Sequence, residues 1–214
     1  MSGGEAGAGA GVQVVPRIVL ASRSPSRAQL LRAGGWHPEL VPADVDEEAI
    51  RARLHGAPPP EVVRALATAK AEAVRERIRE PQAAIVIGCD SMLLVAGELM
   101  GKPHTVERTI SRWRAQAGTA GELLTGHCLI GPGGERYAET VATTVHFADA
   151  EPADIEAYAA TGEPLECAGA FTLEALGGWF IESIEGDPSS VIGLSLPLVR
   201  RAVNSFGYPV SSWW

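Results

Sequence analysis

The sequence is short of cysteine, of lysine and of long hydrophobic runs, and each shortage excludes a class of protein. The three cysteines, Cys89, Cys128 and Cys167, are far apart and odd in number, so they form neither a disulfide framework nor a C-x-x-C zinc pattern. No apolar stretch approaches the ~20 residues of a membrane span, and residues 1–16 lack the basic start and apolar core of a signal peptide. We therefore expect a cytoplasmic protein whose residues 1–16, rich in glycine and alanine, form a flexible leader.

Positive charge is scarce as well: 18 lysines and arginines face 26 aspartates and glutamates, which leaves a formal net charge of −8. Because nucleic acids and anionic membranes attract basic surfaces, we expect neither as a partner. Sixteen of the 18 cations are arginines, and the two lysines are Lys70 and Lys102. In a chain that otherwise uses arginine, those two lysines are candidates for a particular role.

Strand and helix patterns alternate along the chain. Apolar runs at 17–22 and 83–89, both bounded by turns, predict strands that are covered on both faces, and a further apolar run follows at 92–96. Helices are predicted over about 25–33, 59–79, 105–117, 152–161 and 196–206.

Two alternating segments, 122–130 and 136–147, flank a glycine- and proline-rich turn and predict a hairpin. The order of elements predicts an α/β fold with a mixed sheet in a single domain, residues 17–210. The remaining tail, residues 211–214, is rich in tryptophan and could pack on the domain or on a partner.

The segment 23–27 joins the first strand to the first helix. Ser24 suits the N-cap position of that helix, and Pro25 suits its first turn. A helix N-terminus attracts anions through its free backbone N–H groups, and groups such as the Ser26 hydroxyl and the Arg27 guanidinium suit phosphate oxygens. The alternative is a solvated cap with surface arginines.

Lys70 belongs to a helix whose apolar residues recur at helical spacing. Val63, Leu66, Lys70 and Val74 share one face, so Lys70 is predicted on the inward-facing stripe with its ammonium aimed into a cleft. The alternative is a lysine whose stem packs on the apolar surface while its ammonium reaches water.

Asp90 and Lys102 lie at predicted element boundaries. Asp90 comes directly after the run 83–89, and ligands of open α/β sheets bind beyond the carboxyl ends of strands; a turn or cap residue is the alternative. Lys102 lies in a stiff Gly-Lys-Pro turn, where a flexible surface lysine is the alternative.

No P-loop, G-x-G-x-x-G or G-x-S-x-G motif is present, and the histidines do not fall at zinc-ligand spacing. Carboxylates with two lysines and a serine- and arginine-bearing helix start suit the phosphates of a nucleotide and a divalent metal.

Nine segments of the chain, in order from about residue 17 to 206, resemble the successive motifs of one known family. They are Leu20–Arg27, Leu66–Ala71, Val86–Ser91, Gly101–Pro103, Leu124–Gly126, Tyr158–Pro164, Ala168–Phe171, Ile184–Gly186 and Val191–Leu194. The family is the Maf family of nucleoside triphosphate pyrophosphatases, also called septum formation proteins. The resemblance implies an elongated mixed β-sheet flanked by helices around a deep central cleft, a fold shared with inosine triphosphate pyrophosphatases.

The resemblance also implies an activity, the hydrolysis of a normal or modified nucleoside triphosphate to the monophosphate and pyrophosphate. A divalent cation (magnesium, manganese or cobalt) is the implied cofactor, and house-cleaning and cell-division arrest are the implied physiology. The oligomeric state stays open, with a homodimer as one option. A rival hypothesis is a non-catalytic nucleotide-binding regulator of cell division, with catalysis lost through departures from the family pattern.

The matching motifs carry family roles onto individual residues. Asp90 matches the catalytic aspartate, and its role as general base or as metal ligand stays open. Glu47, in a Val-Asp-Glu segment, matches a family glutamate and is a second candidate metal ligand. The predicted phosphate-binding residues are Ser24, Arg27, Lys70 and Lys102.

Departures from the family pattern concern substrate specificity. Ser26 stands where the family has the first arginine of its S-P-R-R motif, and Ser91 stands where threonine follows the catalytic aspartate. Glu174 replaces the glutamine of the branch that acts on dTTP and UTP and, with Cys167, resembles the branch that acts on 7-methyl-GTP. Ser26 fits neither branch, so the preferred base stays open.

Overall fold

The computed structural model describes residues 14–214, so most of the predicted leader lies outside the described residues. Within them, seven strands form one mixed sheet: β1 (Arg17–Leu20), β2 (Glu39–Leu40), β3 (Ala84–Val95), β4 (Glu98–Met100), β5 (Ala120–Ile130), β6 (Arg136–Phe147) and β7 (Ile181–Glu185). The helices of this part are α1 (Pro25–Ala33), α2 (Glu47–Arg53), α3 (Pro59–Arg75), α4 (Val106–Gln116), α5 (Pro152–Ala160), α6 (Pro188–Ile192) and α7 (Leu196–Ser205). Short 3₁₀ segments lie at Pro81–Ala83, Glu163–Glu166, Ala168–Ala170, Leu176–Phe180 and Val210–Trp213.

The sheet is parallel on one side and antiparallel on the other. Its order is β2-β1-β3-β5-β6-β7, with β4 paired to the carboxyl-terminal part of β3. β1 pairs in parallel with β2 and β3, whereas every other pairing is antiparallel. The predicted α/β class with a mixed sheet is therefore confirmed, and so is the hairpin of β5 and β6.

β1 and β3 are buried on both faces, as their apolar runs predict. Leu20 and Ile87 pack into the cluster that includes residues of α1 and α7. Val19 and Val86 point the other way, into the cluster built on α3. Because both faces of β3 are covered, its neighbours fix its position in the sheet. They thereby also fix where Asp90 and Ser91, the polar residues of β3, reach the cavity.

The two apolar runs around Asp90 belong to one strand, β3, so the prediction that Asp90 follows the strand is wrong. Asp90 stays in the ladder because it pairs with Gly126 of β5. β1, however, ends where Leu20 pairs with Ile87, three residues before Asp90. Asp90 therefore lies just beyond the carboxyl end of β1, at the edge of the parallel part of the sheet where ligands were expected.

Two helices also differ from the sequence prediction. α3 ends at Arg75 instead of about residue 79. α2 is absent from the predicted elements because its one buried residue, Ile50, leaves no apolar stripe in a charged segment. Asp46 caps α2, its Oδ1 accepting a hydrogen bond of 2.9 Å from Ala49 N, and the helix begins at Glu47.

Two glycines let α3 lie very close to the sheet. A Cβ added at Gly88 of β3 would lie 2.2 Å from Ala67 O, and one added at Gly126 of β5 would lie 2.2 Å from Val63 O. Both positions face α3, and Gly126 is the ladder partner of Asp90. The absence of two side chains therefore brings the helix that carries Lys70 against the strand that carries Asp90.

The carboxyl-terminal tail packs on the domain. The rings of Trp213 and Trp36 have centroids 4.7 Å apart, and the Trp213 indole donates to Pro16 O at 2.8 Å. Trp214 is 77% exposed, although its indole donates to Gly34 O at 3.2 Å. Along residues 14–214, no helix has both the length and the apolar character to cross a membrane.

Candidate active site

A large cavity opens at the carboxyl end of β1. Its volume is about 1270 Å³, and its walls are the loop from β1 to α1, parts of α2, α3, β3, β4 and α4, and the segment 163–175. All nine site residues that the sequence predicts line it: Ser24, Ser26, Arg27, Glu47, Lys70, Asp90, Ser91, Lys102 and Glu174. The fold thus gathers in one place residues that are spread over most of the chain.

Lys70 and Asp90 meet deep in this cavity, and we call the pair the floor. Lys70 Nζ lies 2.6 Å from Asp90 Oδ1 and 2.9 Å from Glu47 Oε1. The side chains of Lys70 and Asp90 are each 12% exposed, against 44% for Glu47. Lys70 therefore points into the cavity from the inward face of α3, as its helical spacing predicts.

The two carboxyl groups that share Lys70 differ in acidity. Burial raises the pKa of Asp90, and the charges of Lys70 and Arg27 only partly oppose that rise. Burial also acts to raise the pKa of Glu47, but there the hydrogen bond and charge of Lys70, together with the charges of Arg51 and Lys102, outweigh it, and the pKa is lowered. The environment thus separates the two groups: Asp90 takes up a proton more readily, and Glu47 stays ionised.

The guanidinium of Arg27 is held by four hydrogen bonds within the protein. Nε donates to Gly193 O at 2.7 Å, and Nη1 donates to Cys89 O at 2.9 Å and to Ser22 Oγ at 3.2 Å. Nη2 donates to Ser91 Oγ at 3.1 Å. Because arginine has five N–H donors, one remains for a ligand.

Ser91 follows Asp90 on β3, so its side chain points away from the floor. Besides contacting Arg27, its hydroxyl lies 3.0 Å from Thr125 Oγ1, which donates to Ser190 O at 2.9 Å. Ser91 thus links Arg27 to β5 and α6 behind Asp90.

The start of α1 has the predicted cap. Ser24 Oγ accepts a hydrogen bond of 3.4 Å from Arg27 N, and the backbone N–H of Ser24 donates to Ser22 Oγ at 3.1 Å. Arg23 and Ser26 lie on the same turn and line the cavity, and neither side chain has a hydrogen-bond partner among residues 14–214.

A second group, which we call the rim, consists of Lys102, His104 and Glu166. Lys102 Nζ lies 3.1 Å from Glu166 Oε2, and His104 Nδ1 lies 3.0 Å from Glu166 Oε1. The hydrogen bonds from His104 and Lys102 lower the pKa of Glu166. All three side chains are more than half exposed, at 51%, 57% and 68%, so water screens their attraction.

Glu163, which the residue-by-residue reasoning did not single out, organises the loop that carries Glu174. Its carboxylate accepts hydrogen bonds from the hydroxyls of Tyr158 and Thr172 and from the backbone N–H groups of Leu176 and Gly177. Burial acts to raise the pKa of Glu163, but these bonds outweigh it and lower the pKa. The only signal for this residue was its place in a segment that resembles a family motif.

Three more residues of the cavity wall escaped the sequence reasoning: Arg51, Arg108 and Arg112. In a chain with sixteen arginines, nothing in their spacing sets these three apart.

His127 and the three cysteines are held by burial in their uncharged forms, so they serve the packing of the fold and not catalysis. Burial lowers the pKa of His127 to about 4, and its Nε2 accepts a hydrogen bond of 2.8 Å from Ser195 N at the start of α7. Cys128 points to the opposite face, into the cluster on α3. Burial raises the pKa of Cys89 and Cys167 to about 11, so neither is a thiolate at neutral pH.

The residues present suit a divalent cation that arrives with a phosphorylated substrate. No group of three or more His, Cys, Asp or Glu residues in the described chain could hold a metal ion alone. Glu47 and Asp90 supply two carboxylates, and the second oxygen of each, Oε2 and Oδ2, has no hydrogen-bond partner among residues 14–214. Magnesium is commonly held by one or two carboxylates together with substrate phosphates.

Comparisons with known proteins agree on one family. The family model described as "Maf-like protein" matches residues 17–206. Relatives named nucleoside triphosphate pyrophosphatase are 64% identical over 198 residues (Corynebacterium aurimucosum) and 61% identical over 197 residues (Corynebacterium diphtheriae). Each of these alignments covers 92% of this chain and 98% of the relative. A relative of the same name from Nocardia farcinica is 54% identical over 203 residues, which covers 92% of this chain and 96% of the relative.

A solved crystal structure also aligns with part of the chain. It is a nucleoside-triphosphatase / dITP/XTP pyrophosphatase from Mycobacterium abscessus, with a TM-score of 0.37 and 18% sequence identity. The alignment covers 62% of this chain and 73% of that one.

Proposed function

The chain belongs to the Maf-like protein family, and from that premise we propose that it is a nucleoside triphosphate pyrophosphatase, which releases pyrophosphate and a nucleoside monophosphate. The observation that carries the proposal is the floor, a buried lysine–aspartate pair at 2.6 Å in a cavity of about 1270 Å³. Pockets for small ligands usually measure ~300–1000 Å³, so this cavity has room for a nucleotide with its phosphates. Relatives at 64% and 61% identity bear the name of the same activity.

Asp90 orients and deprotonates the attacking water. Because burial raises its pKa, its carboxylate is a stronger proton acceptor than that of an exposed aspartate. The water oxygen forms a bond to the α-phosphorus while the bond from the α-phosphorus to the bridging oxygen breaks. The electron pair of the broken bond leaves with pyrophosphate, and the water proton passes to Asp90 Oδ2, the oxygen that Lys70 does not contact.

Lys70 fixes the floor and stabilises phosphate charge. Its ammonium holds Asp90 Oδ1 at 2.6 Å and Glu47 Oε1 at 2.9 Å. Since an ammonium has three N–H donors, one remains for a phosphate oxygen.

The other predicted phosphate contacts come from α1 and the rim. The N-terminus of α1 offers the backbone N–H of Ser26, because Pro25 has none and that of Arg27 is bound to Ser24 Oγ, and Arg27 offers the one remaining donor of its side chain. Lys102 reaches a phosphate by giving up Glu166, an exposed partner whose attraction is weak.

A divalent cation, magnesium, manganese or cobalt, is part of this proposal. Glu47 would hold it together with oxygens of the substrate. Asp90 is the second ligand in the alternative in which the cation, and not Asp90, acidifies the attacking water. When bound, the cation polarises the phosphoryl group and lowers the pKa of a bound water. Glu47 suits that task because the hydrogen bond and charge of Lys70 keep it ionised despite its burial.

Glu174, Ser26 and Ser91 are the proposed specificity residues. Glu174 lines the cavity on the loop that Glu163 holds, and a carboxylate there accepts hydrogen bonds from a base edge rich in donors. Guanine presents such an edge, whereas thymine and uracil flank a single N–H with carbonyl groups that a carboxylate repels. We therefore propose a guanine-type base, with 7-methylguanine included, over thymine or uracil.

The proposed setting is the cytoplasm, with a nucleoside triphosphate as partner and neither nucleic acid nor membrane. A net charge of −8 supports the two exclusions because anionic polymers and surfaces repel it. Sedimentation of the purified chain tests the homodimer.

A pyrophosphate-release panel tests the proposed function. The purified full chain is incubated with GTP, 7-methyl-GTP, dTTP, UTP and ATP, each with magnesium, manganese or cobalt or with a chelator. We expect metal-dependent release of one pyrophosphate per monophosphate, fastest with a guanine-type base. Binding of nucleotide without any pyrophosphate release would overturn the proposal and favour the non-catalytic regulator.

A further inference from the structure

The cations predicted to bind phosphates are already engaged with protein groups. Lys70 is bound to two carboxylates, Lys102 is paired with Glu166, and four of the donors of Arg27 are used. A nucleoside triphosphate is a tetra-anion at neutral pH. These cations leave much of that charge without a partner, so further cations in the cavity become relevant.

Three arginines on another part of the wall have no ion pair. Arg51 of α2 and Arg108 and Arg112 of α4 all line the cavity, and none has a carboxylate within 4 Å among residues 14–214. We call these three residues the arginine wall.

Two residues of the arginine wall, Arg51 and Arg112, lie at the turn that carries Lys102. Arg112 Nη1 donates to Gly101 O at 2.6 Å, and Arg51 Nη1 lies 3.8 Å from the position of a Cβ built on Gly101. Arg108 precedes Arg112 by one helical turn and so shares its face of α4. Two guanidinium groups thereby lie at one backbone position, and the charge of the third, Arg108, acts on Arg112.

The three like charges repel one another, although Arg51 and Arg108 are exposed and water screens much of that repulsion. Burial lowers the pKa of Arg112 and the charge of Arg108 lowers it further, while the charge of Glu98, which also lines the cavity, opposes both. An anion in the cavity relieves the repulsion between the three arginines. Guanidinium groups match phosphate oxygens with two parallel hydrogen bonds.

The arginine wall adjoins the floor through Glu47. Arg51 and Lys102 are among the charges that act on the Glu47 carboxyl, which is itself bound to Lys70. A triphosphate whose α-phosphorus lies at Asp90 can therefore extend its terminal phosphates along Glu47 toward Gly101. We propose that the arginine wall binds the β- and γ-phosphates and stabilises the charge that moves onto the departing pyrophosphate, an inference that rests on the proposed function.

Binding of inorganic pyrophosphate tests this proposal without requiring turnover. Isothermal titration in magnesium buffer compares the full-length wild type with the double variant Arg51→Ala/Arg108→Ala, using pyrophosphate and, separately, GMP or UMP. Each lost charge-assisted contact is expected to weaken pyrophosphate binding about tenfold, whereas monophosphate binding changes by less than about twofold. With the preferred triphosphate, KM rises and kcat falls together.

Two further variants remove ambiguities. Arg114→Ala, on the same helix but paired with Glu156 outside the cavity, controls for loss of charge on α4 and should bind pyrophosphate like the wild type. Arg112→Lys keeps the charge of a half-buried position and should still weaken pyrophosphate binding, because it loses the forked donor.

The outcomes separate this proposal from the proposed function. Equal losses for pyrophosphate and monophosphate, no loss in the double variant, or no pyrophosphate binding by the wild type would each overturn the arginine wall, whether or not the enzyme turns over. If no nucleotide is hydrolysed but pyrophosphate binding still depends on Arg51 and Arg108, the proposed function fails and the arginine wall stands.

Discussion

The floor and the rim contain similar residues, a lysine and a carboxylate in each, but different forces hold them in place. Lys70 and Asp90 are almost buried and are brought together by the close packing of α3 on glycines of β3 and β5. Lys102 and Glu166 are more than half exposed and are joined by an ion pair between two loops. The floor is therefore set before substrate arrives, whereas the rim can rearrange around it.

Gly88→Ala should have the largest effect, because it attacks the packing that sets the floor. The added Cβ would lie 2.2 Å from Ala67 O, a backbone atom that can move only with α3. We expect the free energy of unfolding to fall by about 3 kcal/mol, measured by urea denaturation, and pyrophosphate release to be lost as Lys70 leaves Asp90.

Gly101→Ala is the matched control, since its Cβ would meet Met92 Cε at an ordinary 3.6 Å. If Gly88→Ala unfolded at the same urea concentration as this control, close packing would not be what positions the floor.

A smaller effect is expected from pH, through the buried His127 behind the floor. Its pKa is about 4 in the folded protein and about 6.5 when unfolded, so between these values the unfolded chain binds a proton that the folded chain does not. The free energy of unfolding should therefore fall as the pH drops from about 6.5 to 4, by up to about 3 kcal/mol. His127→Gln should lose most of this pH dependence.

His104→Gln gives the contrast at the rim, where the histidine is 57% exposed. This variant should change the free energy of unfolding by less than about 1 kcal/mol between pH 4 and 7, because water screens its pair with Glu166. If the two variants had identical stability profiles between pH 4 and 7, the difference in burial between the two regions would not govern their behaviour.

Glu166→Gln should have the smallest effect on stability. Because the rim pairs are exposed, we expect the free energy of unfolding to change by less than about 1 kcal/mol, and by less still in high salt. Releasing Lys102 should lower KM for the triphosphate. A large loss of stability would show that the rim is as firmly built as the floor.

The sequence predicts the positions of Lys70 and Asp90 better than those of the residues around them. Patterns such as helical spacing relate residues that are close in sequence, whereas the other contacts of the cavity join residues that are far apart. Helical spacing places Lys70 on the inward face of α3, and the apolar run before Asp90 places it near a sheet edge. The end of β3 was misplaced because strand pairing with Gly126, a residue of another element, overrides a local change of polarity.

Partners distant in sequence escape local patterns altogether. Glu166 is 64 residues from Lys102, and Gly193 is 166 residues from Arg27, so no periodicity relates them. Glu47 was found only through the family resemblance, because a helix with one buried residue has no apolar stripe to reveal it. No local pattern relates the arginines of the arginine wall either, because Arg51 of α2 and Arg112 of α4 come together only at Gly101.

Single-turnover pyrophosphate release by Asp90→Asn tests the central claim that the floor performs the chemistry. The variant is mixed in excess with the preferred triphosphate and metal, after circular dichroism and nucleotide titration have shown that fold and binding are intact. We expect pyrophosphate release to slow by about a hundredfold or more, with the affinity for nucleotide little changed. Release at the wild-type rate would contradict the assignment of Asp90 and, with it, the account of the floor.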